Sequence, residues 1–142
     1  MKSFSLKKWI VLLSLGPCLT AGAQSVIVHE SNPMHKVSRG FVRNAFLGNS
    51  VDWPNQAKIQ IADYTSGFPL RAKFSEEWLG LSPNKVYMLW IKVSLSGRAA
   101  PPRVFKNEDE VKRFVLDNPD AIAYISNTAG LPKGLRAIEV EP

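Results

Sequence analysis

Ser66-Gly67, followed four residues later by Arg71, is the group in this sequence best equipped for chemistry. A hydroxyl, backbone N–H groups and a guanidinium near a predicted helix start are the donors that hold a small oxyanion. Arg71 also reads as an exposed arginine on a helix that is there to bury Leu70, Phe74 and Trp78, and the residues alone leave both readings open. His29 and His35 are the only histidines, and with Glu30 and Asp63 they raise the question of a metal. Their six-residue spacing belongs to no zinc pattern and two imidazoles do not make a structural site, so neither metal nor cofactor is expected. Catalysis needs a nucleophile beside a base, or paired carboxylates in an apolar cleft. Ser66 lacks the Gly-x-Ser-x-Gly setting of a nucleophile elbow, and a non-enzymatic protein is expected.

These residues must be held by short apolar runs alternating with helical patterns. Ser25-Val26-Ile27-Val28-His29 is a β-branched run suited to a strand covered on both faces. Ser38 caps a predicted helix that buries Val42, Ala45 and Phe46 and stops at Gly48. Lys58 to Asp63 alternates, with Ile59 and Ile61 on one face of a second strand. After Gly67 the period becomes helical, with Leu70, Phe74 and Trp78 at four-residue spacing from about Pro69. Ser82-Pro83 starts a helix with the stripe Val86, Leu89, Trp90 and Val93, broken by Gly97 and Pro101-Pro102. Asn107 with Glu108, Asp109 and Glu110 starts another, burying Val111, Phe114 and Val115 and ending at Asp117-Asn118-Pro119-Asp120. Ala121 to Ile125 and Leu135 to Val140 read as strands. The order predicts an α/β domain, a single helix-covered mixed β-sheet. Trp78 and Trp90 are expected in the core, where loss of Trp78 costs about 3 to 5 kcal/mol; Trp53, in a loop, fits core or pocket.

The ends of the chain set its context. Lys2, Lys7 and Lys8, the apolar run Trp9 to Leu15, and Ala21-Gly22-Ala23 follow the order of a signal peptide over residues 1–23. The run is too short to span a bilayer and meets Gly16-Pro17, so no membrane anchor is expected after cleavage. Cys18 follows Pro17, not the Gly or Ala of a lipidation site, and cleavage after Ala23 removes it. Residues 24–142 then form one domain. The charge of +6 falls to +3, because three Lys leave and all 12 Asp and Glu stay. No basic run interleaved with aromatics survives, which argues against a nucleic-acid partner.

One family likeness emerges from residues in order along the chain: Ala45-Phe46-Leu47-Gly48 and Trp53, Arg71 with Phe74, Ser96-Gly97, and Asn118-Pro119-Asp120-Ala121-Ile122-Ala123-Tyr124. The chain resembles the phosphate-binding proteins of ABC transporters, of the type 2 periplasmic-binding-protein fold, as a small single-lobe relative. In that family the last segment usually reads proline-glycine-alanine-isoleucine-glycine-tyrosine, so Asp120 and Ala123 depart from it. The resemblance implies one lobe of that fold, a periplasmic location, and an oxyanion such as phosphate held by Ser66, Gly67 and Arg71. The family is rich in Gly, Ser and Thr before the arginine, whereas here Phe68, Pro69 and Leu70 stand there. Proline has no N–H, and Phe and Leu have no polar group, which predicts weakened binding. Two functions follow: a non-enzymatic substrate-binding protein serving an ABC transporter, or a ligand-free accessory module for a membrane sensor, transporter or porin.

Overall fold

The computed structural model describes residues 24–142, so the predicted signal segment and Cys18 lie outside the described residues. Strand β1 (Ser25–His29) lies inside the sheet, and β2 (Lys36–Ser38) runs directly into α1 (Arg39–Phe46). Then come β3 (Gln60–Tyr64), α2 (Pro69–Phe74), α3 (Pro83–Leu95), β4 (Arg103–Phe105) and α4 (Glu108–Asp117). The chain closes with β5 (Ala121–Ile125), β6 (Leu135–Ala137) and β7 (Glu139–Glu141). The main sheet has the order β4-β3-β5-β1-β6, and β2 pairs with β7 in a separate ribbon. β1 is antiparallel to both β5 and β6, whereas β3 is parallel to β4 and β5. This is the mixed, helix-covered sheet that the pattern predicts.

The helix starts follow from their caps. Ser38 Oγ accepts from Phe41 N–H at 3.0 Å, and Asn107 Oδ1 accepts from Glu110 N–H at 2.9 Å. Each satisfies a backbone donor that a helix's first turn leaves unpaired. Val42, Ala45 and Phe46 of α1, Val86, Trp90 and Val93 of α3, and Val111 and Val115 of α4 are buried as their spacing requires. β5 is buried along its whole length, which explains its uninterrupted apolar run. Alternation sends Tyr124 to one face, where it stacks on Phe74 with ring centroids 3.7 Å apart and meets the edge of Phe46. Gly48, at φ 73°, ends α1 where α3 crosses it; a Cβ there would sit 2.8 Å from Val93 Cγ2.

Three expectations change, and the open reading of Trp53 is decided. The stripe through Leu70, Phe74 and Trp78 is interrupted because Ser75–Leu79 forms a π-helical turn. Its wider spacing puts Leu79, five residues after Phe74, into the core at 3% exposure and leaves Trp78 at the rim. There Trp78 stacks on Phe74 and lies under the Arg39 guanidinium, 4.3 Å from the ring centre. The loss expected for a fully buried tryptophan therefore does not apply to it. Trp53 is core: 2% exposed, with Nε1 donating to Asp120 O at 2.9 Å. Leu135 to Val140 is two strands, because Ile138 N–H donates to Val26 O and Glu139 N–H to His35 O, carrying the chain from β1 to β2. Lastly, the second strand begins at Gln60 and leaves Lys58 in an isolated bridge to Asp52.

Candidate functional site

β3 ends by delivering Asp63 and Tyr64 to the edge of the core, and Thr65 N–H closes onto Phe105 O at 2.9 Å. The chain then turns, with Phe68 N–H donating to Thr65 O at 3.0 Å, and enters α2 at Pro69. Phe68 stacks on Tyr64 with centroids 4.5 Å apart, so its ring pins the turn to the sheet. It offers no side-chain cap. The backbone N–H groups of Ser66, Gly67 and Leu70 consequently have no hydrogen-bond partner among the described residues.

One turn into the helix, Arg71 folds back over β3. Its Nε lies 3.5 Å from Asp63 Oδ2, and the two side chains are 14% and 11% exposed. The other carboxylate oxygen accepts from Tyr64 N–H at 2.7 Å and from the Tyr124 hydroxyl at 2.5 Å. Tyr64 in turn donates its hydroxyl to Tyr124 O at 2.7 Å. Asp63 thus offsets the guanidinium's charge while the tyrosines satisfy the carboxylate, the condition under which a buried charge is tolerated.

Burial pushes both phenols well above the ordinary tyrosine value, with the Asp63 charge adding to it at Tyr124 and the Glu108 and Asp63 charges at Tyr64. The folded protein therefore holds two protons that the unfolded chain releases above the ordinary value of 10.0. Stability should be intact below that pH and should fall above it by about 1.4 kcal/mol per pH unit for each tyrosine. Alkaline unfolding followed by tyrosinate absorbance measures this, and Tyr124→Phe should flatten the slope by one tyrosine's share. An unchanged slope in that variant would remove Tyr124 from the account.

Beyond Arg71 lies an open cleft of about 440 Å³ lined by Thr65, Ser66, Arg71, Pro83, Asn84, Tyr87 and Val104. Of the sequence-derived trio, Ser66 and Arg71 face this cleft together; Gly67 is exposed and is not part of its lining. Thr65, Asn84 and Tyr87 escaped the sequence reading, as did the role of Asp63. An acid ending an apolar strand, and a tyrosine inside another, were the available signals, because a buried phenol seeks a partner. His29 accepts at Nδ1 from Ser31 N–H, 3.1 Å away. No three His, Cys, Asp or Glu among the described residues are placed to hold a metal ion.

No family profile matches the chain, and no curated protein matches it. Solved structures are. A phosphate-bound Clostridium perfringens protein described as a phosphate ABC transporter substrate-binding protein superposes with a TM-score of 0.67 at 19% identity, over 82% of this chain and 44% of its own. An ABC-type phosphate transport receptor from Vibrio cholerae gives 0.63 at 20% identity, over 82% and 45%. PstS from Borrelia burgdorferi gives 0.61 at 18%, over 84% and 47%. The fold is that of one lobe of this class, and the chain spans less than half the length of these proteins.

Proposed function

We propose that the protein is a non-enzymatic, substrate-binding-like protein that recognises phosphate or another small oxyanion at Ser66, Gly67 and Arg71, weakly or with a second chain completing the cleft. One observation carries the reading: the Arg71 guanidinium and Ser66, with its hydroxyl and an unbonded backbone N–H, line one open cleft, and the unbonded N–H groups of Gly67 and Leu70 lie in the adjoining turn. Anions gain from such donors even without base chemistry. Asp63 beside Arg71 and the missing N–H of Pro69 both weaken the site, so affinity should be no tighter than the high micromolar range. Calorimetric titration with phosphate, sulfate and chloride tests this. Arg71→Ala should lower phosphate affinity roughly 10- to 150-fold, the share of one charge-assisted contact. Ser66→Asp, which places a carboxylate at an exposed position, should weaken binding without disturbing the core. Affinity unmoved in both variants places the ligand elsewhere.

The likeness to phosphate transport receptors supports a role beside an ABC transporter, and the basic, apolar, small-residue order of residues 1–23 supports export to the periplasm through a cleaved signal. Among the described residues no helix is long and apolar enough to cross a membrane. The intact mass of the exported protein should correspond to a start at or near Gln24 with no added lipid; acylation at Cys18 would overturn this. A second reading, an accessory module for a membrane sensor, transporter or porin, is favoured by the apolar outer face of α3.

A further inference from the structure

Helix α3 is apolar on two sides. Val86, Trp90 and Val93 face the core, while Tyr87, Ile91 and Leu95, at four-residue spacing, form a second stripe turned away from it. Tyr87, Met88, Leu95 and Val104 are 60%, 55%, 84% and 54% exposed, and they are the large hydrophobic residues exposed among those described. Core packing explains only the first stripe. The second makes one wall of a groove of about 330 Å³ whose other wall is Pro101, Pro102 and Val104. At one end the groove shares Arg71, Tyr87 and Val104 with the oxyanion cleft. At the other it shares Pro101 with a cleft of about 490 Å³ bearing Lys58, Arg98 and Arg103. The three adjoin through these shared residues beside the edge strand β4, and are together termed the trough.

Charge is concentrated on the same segment. From Trp78 to Asn107 the chain carries Lys85, Lys92, Arg98, Arg103 and Lys106 and no Asp or Glu. All five cations are exposed, and the ion pairs among the described residues use none of them. Residues 24–142 sum to +3 and this segment contributes +5, so the remainder is net negative. Of the five, Arg98 and Arg103 line the trough itself, where the acid present, Asp63, is paired with Arg71.

We infer that the α3–β4 trough docks an acidic amphipathic helix of another protein, its apolar anchors on Tyr87, Ile91 and Leu95 and its carboxylates on Arg98 and Arg103. A second copy of this chain seated face to face would oppose Arg98 and Arg103 to their own counterparts. A lipid surface fits a protruding apolar face better than a concave one. Addition of a strand to β4 is blocked, because Pro101 and Pro102 have no N–H to offer and β4 is three residues long. A helix laid in a groove, held by a few apolar anchors and steered by charge, meets each constraint. This inference does not depend on the oxyanion reading.

The test pans a displayed library of helical peptides against the purified protein. Enriched peptides should carry Asp and Glu around apolar anchors and should bind more weakly as salt rises from about 50 to about 500 mM. Leu95→Asp should weaken them by roughly tenfold or more. Because Leu95 is 84% exposed and is not among the residues lining the oxyanion cleft, that variant should keep the parent's unfolding midpoint and phosphate titration. Enrichment of basic peptides, no enrichment over the Leu95→Asp protein, or binders indifferent to Leu95→Asp would overturn the inference. So would Leu95-dependent adsorption to phosphatidylglycerol vesicles, which makes the face a lipid surface, or Leu95-dependent dimerisation in sedimentation.

Discussion

Asp63→Ala should cost about 3 to 5 kcal/mol of folding stability, the usual penalty for removing one partner of a buried ion pair. Two further losses accompany it, since the Tyr124 hydroxyl and Tyr64 N–H both donate to the deleted carboxylate. Arg71 faces an open cleft and can turn toward water, which limits the penalty. Against a domain stability of about 5 to 15 kcal/mol this is a large share. Urea unfolding reads it as a lower midpoint, and the Asp63→Ala, Arg71→Ala double variant should recover part of the loss. Asp63→Asn separates structure from charge: it keeps the shape, removes the negative charge beside Arg71, and should tighten phosphate binding. A midpoint for Asp63→Ala equal to the parent's would mean that the carboxylate holds nothing together.

Tyr124→Ala should lower stability by a similar amount, about 3 to 5 kcal/mol, through the cavity it leaves. The ring is 1% exposed, stacked on Phe74 and edge-on to Phe46 and Tyr64, so three elements lose a common surface at once. At roughly 4 °C per kcal/mol for a domain of this size, the melting temperature should drop by about 12 to 20 °C. Tyr124→Phe keeps the rings together and removes only the hydrogen bond to Asp63, for about 1 to 3 kcal/mol. The difference between the variants weighs packing against the polar network. If Phe were as damaging as Ala, the stack would contribute little and the hydroxyl nearly everything.

What the sequence made legible was local. Ser38, Ser82 and Asn107 announce helix starts because capping is decided within three residues, and the run Ala121 to Ile125 announces a buried strand because both its faces are covered. β2 and β4 were missed: three residues cannot display a period, and the middle residue of β2 is its only buried one. The π-helical turn was invisible for a related reason. Around it the Ser75 hydroxyl donates to Leu81 O at 2.8 Å, a contact no periodicity encodes. The fold likeness was legible in its ordered segments, but the partner of Arg71 was not. Asp63 lies eight residues before it, and its second anchor, Tyr124, lies 61 residues after Asp63.

The pairing of β1 with β5 and β6 also sets the order in which the molecule can form. Ser25 lies opposite Ile125, and Ile27 opposite Ala137, so one side of the sheet, from its middle strand to its β6 edge, is made by the first strand and two of the last. Closing a loop of that length costs about 4 kcal/mol of chain entropy before any contact returns it. A ribosome that has released the chain only as far as Phe105 has therefore produced β3 and β4 without β5, the strand that joins them to β1. Sheets closed by such distant pairings form slowly. The growing chain should stay extended and accessible to chaperones until its final strands emerge, and cutting it before Leu135 should leave β1 with a bare edge open to association.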